Sequence, residues 1–203
     1  MITDRKIAKF FQMLFVRPVF VPPLMPDSHS IPHKSSHPDN TANDMLTSSE
    51  LPLWQLVTAR FRLGTHTDHG PRHWRTVLRN GLYLCRHHAA DAEVVRFFAL
   101  FHDSCRENEY HDPEHGYRGA KLALQFREAG HFHLDDTRMQ LLVTACEIHN
   151  GAAPQTDPTL GVCLDADRLD LGRVGITPDP ARLSTSTARD IATRLAWHEL
   201  ESK

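Results

Sequence analysis

The stretch DAEVVRFFALFHD, Asp91 to Asp103, decides the fold class. Asp91 is a helix-capping residue type, and Val94, Val95, Phe98 and Phe101 follow at helical spacing, pointing inward. The run ends on a histidine and a carboxylate. His102 follows Phe98 by four residues and shares its face. A histidine on a buried face is either hydrogen-bonded or bound to a metal.

The same period continues on both sides. LPLWQLVTARFRL carries apolar residues at helical intervals, and PRHWRTVLRNGLYLCRHH opens with a proline suited to a first turn. The inner face of that second helix is expected to hold Trp74, Val77, Leu78, Leu82 and Cys85. Asp112, Pro113 and Glu114 suggest a cap and first turn, starting a helix that runs to about Glu128 and stops at Gly130. DDTRMQLLVTACEIHNG sets Leu142, Ala145 and His149 on one stripe, with Gly151 as its stop. DPTLGVCLDADRLDL and TARDIATRLAWHELE complete the pattern. No stretch alternates as a strand would. The expectation is an all-α protein of six or seven helices forming one domain over residues 45–203.

The preceding residues, 1–44, differ. A short basic and apolar opening is broken by Arg17 and several prolines, with no small-residue cleavage site after it. It is too short to span a bilayer. The polar, Pro- and Ser-rich segment that follows reads as a disordered linker, with His29, His33 and His37 solvated. This extension is expected to be dispensable.

The net charge of -2 makes neither nucleic acid nor an anionic membrane a dominant partner. Cys85, Cys105, Cys146 and Cys163 form no CxxC pair and read as reduced thiols of a cytoplasmic protein, which argues against a cysteine-held zinc. The unusual count is histidine, of which there are 15. His73, His102, His115 and His149 fall on separate expected helices beside apolar residues, and Asp103 and Asp167 join them. Helix packing can bring such positions together, and a His/carboxylate set without thiolate suits Mn, Fe, Co, Ni or Zn.

His73, the His102-Asp103 doublet and Asp167 follow the H…HD…D order, and in this the chain resembles the HD-domain metal-dependent phosphohydrolase superfamily. HGPRHWRTV looks like the first-histidine helix, LFHDSCR like the doublet, and DADRLD like the last-aspartate helix, together covering roughly residues 60–175. The resemblance implies a helical fold and hydrolysis of small phosphate esters, often nucleotides. It also favours Asp167 over its neighbour Asp165 as the last ligand. His115 and His149 stand where the two-metal HD-GYP enzymes carry extra histidines. The GYP signature is missing, and Ile148-His149 replaces a His-His pair, which argues against cyclic dinucleotide cleavage.

In this reading His73, His102, Asp103 and Asp167 hold one divalent transition metal. Asp103 bridges to a second metal on His115 and His149 and takes part in catalysis. Arg106, one turn beyond the doublet if the helix continues, is the leading substrate-binding and catalytic cation. Arg72, Arg118 and Lys121 are further phosphate-binding candidates, and Glu107 is a candidate acid/base. His66 and His69 fall in the loop before the first-histidine helix and read as loop polarity rather than as the mouth of the site, His111 is a candidate partner behind the ligands, and Asp170 is expected to face outward. The alternatives are a non-catalytic helical signalling or scaffold domain with a structural metal, and a di-iron oxygenase on the same scaffold.

Overall fold

A computed structural model describes residues 45–201 of the chain. The expected disordered extension, residues 1–44, lies outside the described residues. Seven α-helices follow in order: α1 (Leu51–Arg60), α2 (Pro71–Cys85), α3 (Ala92–Phe101), α4 (His115–Glu128), α5 (Asp136–Ile148), α6 (Pro158–Arg168) and α7 (Ser186–Glu201). Two short 3-10 turns, Leu171–Val174 and Pro180–Arg182, lie between α6 and α7. Among the described residues there is no strand, so the fold is all-α, as the periodicity predicts.

Helix α3 sits at the centre and packs against α2, α4, α5 and α6. Its composition explains this: Val94, Val95, Phe98, Ala99, Leu100 and Phe101 are all fully buried. Burying each Val, Leu or Phe contributes about 1.5–3 kcal/mol, enough to fix the helix among its neighbours. The Asp91 carboxylate caps it by accepting from Glu93 N and Val94 N. Around this axis α2 adds Trp74, Val77 and Leu78, and α5 adds Met139, Leu142, Ala145 and Cys146. Leu82 and Cys85 are only half-buried; Leu84 takes the inward place instead.

Two glycines let α4 approach its neighbours. A Cβ on Gly116 would collide with the Cys146 carbonyl of α5, and one on Gly119 with the Phe101 carbonyl at the end of α3. Helix α4 begins at His115, two residues later than the sequence suggests. Asp112 does not cap it, because its carboxylate accepts from the Glu107 N–H at 2.8 Å and from Arg118 Nη2 at 2.6 and 2.7 Å.

Beyond α6 the chain folds back as a pinned wall. The fully buried Asp165 carboxylate accepts from Ser184 N at 2.8 Å and Thr185 N at 2.7 Å. Arg168 donates to the carbonyls of Arg182 and Ala152, both at 2.6 Å. At the other end, Arg96 holds the start of the described chain by donating to the Met45 carbonyl at 2.9 Å and pairing with Glu50 at 3.0 Å. All four cysteines are free thiols, and burial pushes those of Cys146 and Cys163 well up, away from reactivity.

Candidate metal centre

The ends of α3 and α5 and the starts of α2 and α4 converge on one buried point. Asp103 occupies it, 2 % exposed, between two pairs of imidazoles. Its Oδ2 lies 3.6 Å from Nε2 of both His73 and His102. Its Oδ1 lies 3.1 Å from His115 Nε2 and 3.6 Å from His149 Nε2. Asp167 adds an oxygen 3.2 Å from His73 Nε2. The ligand atoms form two trios sharing Asp103, each within 4.8 Å.

The protons in this cluster can be assigned from its outer partners. His73 Nδ1 lies 2.7 Å from an Asp170 oxygen. His102 Nδ1 lies 3.1 Å from the Phe98 carbonyl and 3.2 Å from that of Ala99. His149 Nδ1 lies 2.7 Å from the Cys146 carbonyl, and His115 Nδ1 contacts the Asp112 carbonyl. Carboxylates and carbonyls only accept, so each Nδ1 carries the hydrogen. A neutral imidazole has one N–H, so all four Nε2 atoms are left with bare lone pairs. Yet the Nε2 atoms of His73 and His102 are 3.1 Å apart, and those of His115 and His149 2.8 Å apart. Lone pairs that close, beside two carboxylates, draw positive charge between them, protons or a metal ion.

The electrostatics agree. Burial would raise the Asp103 pKa, but His102, His115 and His149 hold it well below the ordinary carboxylate range. Asp167 is lowered too: burial opposes this, and His73 and His102 overcome it. Burial pulls His73 and His149 down, but Asp167 and Asp170 beside the first and Asp103 beside the second outweigh it, so both are raised. His102 shows the opposite balance: burial takes it down to about 3 despite Asp103 and Asp167. Donor types and tautomers thus fit divalent transition metals held by nitrogen and oxygen.

A family model described as HD domain matches residues 72–172, from the start of the first histidine helix to just past Asp167. The chain belongs to the HD domain superfamily. Among solved structures, this HD domain is similar to a predicted HD superfamily hydrolase from an uncultured Thermotogales bacterium. The two share 22% identity and a TM-score of 0.59 over 74% of this chain and 87% of the other, a likeness of fold. No curated protein matches the chain.

The HD centre opens into a cavity of about 280 Å³. Asp103, His115, His149 and Asp167 lie at its inner end. Arg106, Arg168, Arg173 and Arg182 line it as well, with no lysine. Arg106 is placed by a turn, because the α3 helix stops at Phe101. It is buried, donating from Nε to Asp103 Oδ1 at 3.2 Å and from Nη1 to the Asn108 carbonyl at 3.2 Å.

Other expected site residues fall elsewhere. With α3 ended, Glu107 points away from the cavity and pairs with Arg62 at 3.3 Å, its side chain 53% exposed. Arg118 is committed to Asp112 and the Cys105 carbonyl. Lys121 lies over the Tyr117 ring at 5.4 Å, outside the cavity lining. Arg72 lines a neighbouring polar hollow with Thr65, His66 and Asp68, which shares His73 and Asp170 with the centre and Arg173 with the cavity. His111 is exposed and stands apart from the ligands.

Some contributors were not visible in the helical pattern. Asp170 turns inward because α6 ends at Arg168, so the outward face expected for it does not apply. Asp165, two residues from Asp167, serves the wall and not the cluster. His69 lines the cavity, with Nδ1 2.6 Å from Glu109 Oε2, and the Trp74 indole donates to its carbonyl at 2.8 Å. Burial lowers the His69 pKa, with Asp103 and Glu109 opposing. A histidine four residues before His73 was the available signal, and loop polarity masked it. Among the described residues no helix is long and apolar enough to cross a membrane.

Proposed function

We propose that this HD domain hydrolyses a small phosphate ester, using two divalent transition metal ions. The observation that carries the reading is the set of four bare Nε2 atoms paired about Asp103, at the inner end of an arginine-lined cavity. His73, His102, Asp103 and Asp167 would hold one ion; Asp103, His115 and His149 would hold the other. Bound there, such ions supply Lewis acidity and a water of lowered pKa.

The chain's own groups account for the remaining needs of the reaction. Asp170 fixes the His73 ring, and backbone carbonyls fix the other three rings, so the ligands keep their aim. Arg106 is braced on Asp103 through Nε and keeps Nη2 for a phosphoryl oxygen, where its charge offsets what develops in the transition state. His69 donates from Nδ1 to Glu109, so its neutral ring presents a bare Nε2 that accepts the proton released by the attacking water. Residues 45–203 are taken as the functional unit and the cytoplasm as its compartment.

The test is metal analysis of the purified protein, followed by a manganese-supplemented screen of nucleotides and simple phosphate esters. Two metals per chain and released phosphate are expected. Bound metal with no turnover on any ester favours a scaffold. Dioxygen consumption by an iron-loaded sample favours an oxygenase.

A further inference from the structure

The four arginines of the cavity are not equivalent, and their donors can be accounted for one by one. Arg106 spends Nε on Asp103 and Nη1 on Asn108. Arg173 spends Nε on the Asp68 carbonyl at 2.8 Å and Nη1 on the Asp170 carbonyl at 3.1 Å. Arg168 spends both terminal nitrogens on carbonyls and serves as a clamp. The Arg182 side chain has no hydrogen bond or ion pair among the described residues. Its whole five-donor fork is therefore open to a ligand.

The backbone beneath Arg182 is nevertheless fixed. Its carbonyl is held by Arg168, the Asp179 side chain caps the 3-10 turn at Ala181 N, and Asp165 anchors the next residues, Ser184 and Thr185. An uncommitted guanidinium on so constrained a turn is suited to a planar or tetrahedral oxyanion. It is distinct from Arg106, which is braced against the proposed metal ligand. The cavity also offers a nucleobase no large aromatic ring, only imidazole and guanidinium planes that are mostly committed. Its apolar lining is Leu171 and Leu183, with no Phe, Tyr or Trp to stack on, and its volume of about 280 Å³ is small for a ligand site.

We infer that the substrate is a compact phosphate ester bearing a second anionic group, carboxylate or phosphate, and that Arg182 binds this second group. This rests on the phosphohydrolase reading for the role of the metal end. Arg182 would then set specificity, and a nucleoside monophosphate would be a poor ligand.

Calorimetric titration of the metal-loaded protein tests the inference with four probes: glycerol 1-phosphate, 3-phosphoglycerate, glycerol 1,3-bisphosphate and AMP. At least one of the two doubly anionic probes is expected to bind tenfold or more tighter than glycerol 1-phosphate and AMP. Arg182→Ala should remove most of that advantage, leave metal content and glycerol 1-phosphate affinity unchanged, and Arg182→Lys should restore part of it. Which of the two probes wins separates a carboxylate from a second phosphate. Equal affinities, a preference for AMP, or an advantage that survives Arg182→Ala would overturn the inference. Phosphate release is followed separately. Hydrolysis without a doubly anionic preference leaves the phosphohydrolase reading standing and removes this one. Arg182-dependent binding with no hydrolysis of any ester does the reverse.

Discussion

The histidine cluster and the wall formed by residues 168–185 face the same cavity but are built on opposite plans. In the cluster every ring is fixed from behind, by Asp170 or a backbone carbonyl, and the front Nε2 atoms converge on Asp103, ready to share a positive charge. In the wall the main chain is fixed, by Asp165 and Arg168, while Arg182 leaves its donors unassigned. The first arrangement tolerates one kind of occupant, a cation in a set place. The second restrains where a donor starts and lets the side chain adapt. Chemistry common to many esters and selection among them can thus be carried by different segments.

The comparison breaks most completely at Asp103, whose two oxygens serve the two trios. Asp103→Ala should abolish both bound metals and all turnover, measured by elemental analysis and phosphate release. Retained metal at wild-type stoichiometry would remove Asp103 from the centre. The double replacement His115→Ala with His149→Ala should be milder, taking the metal count from two to one per chain with sharply reduced activity. A wild-type protein that holds a single ion when metal-replete would replace the binuclear scheme with a mononuclear one.

The wall can be loosened without touching the cluster. Asp165→Asn swaps one acceptor oxygen for an amide that faces a backbone N–H, leaving a buried donor unsatisfied. The expected cost is about 1–3 kcal/mol of stability, read from chemical denaturation, with metal content unchanged. Loss of metal in this variant would mean that Asp165 belongs to the cluster after all.

The smallest effect sharpens the contrast through pH. His73 and His149 have folded pKa values above the ordinary 6.5, so they bind protons more tightly in the folded metal-free protein than in the unfolded chain. Their contribution to stability is full below 6.5 and is lost as pH rises through the folded values. His102, lowered to about 3, works the other way: its contribution grows as pH rises to the ordinary 6.5 and levels off just above it, so it adds little slope at higher pH. Metal-free protein should therefore lose stability above neutrality while metal affinity rises, because metal must displace those protons. Thermal melts across that range, with and without manganese, check both signs. Metal-free stability that climbs with pH would reverse the assignment.

Much of this was legible in the sequence because it depends on period. Val94, Val95, Phe98 and Phe101 set the central helix, and the same period put His102 on its inner face. His73, His115 and His149 could be picked out because each interrupts or ends an apolar stripe. The misreadings share a cause, that periodic reasoning stops where a helix stops. Arg106 was placed by extending α3 past Phe101, though a turn brings it to the cavity instead, and Asp170 was turned outward by extending α6 past Arg168. Asp112 resembled a cap, but a distant guanidinium and a local N–H compete for the same oxygens. Arg173 and Arg182 sit on irregular chain, whose direction depends on anchors elsewhere and leaves no local pattern.

Gly116 and Gly119 give the cluster a ruler. Since a methyl group at Gly116 would strike Cys146 and lie 3.2 Å from the His149 ring, its absence sets how closely the histidine at the start of α4 can stand to the one at the end of α5. The gap that an ion must bridge on this side is thus measured out by hydrogen atoms, in a residue that binds nothing itself. On the His73 and His102 side the seating of α2 against α3 depends on Gly81, where a methyl group would strike the Val95 side chain. The two gauges differ in kind: a carbon added at Gly116 meets backbone, and one added at Gly81 meets a side chain.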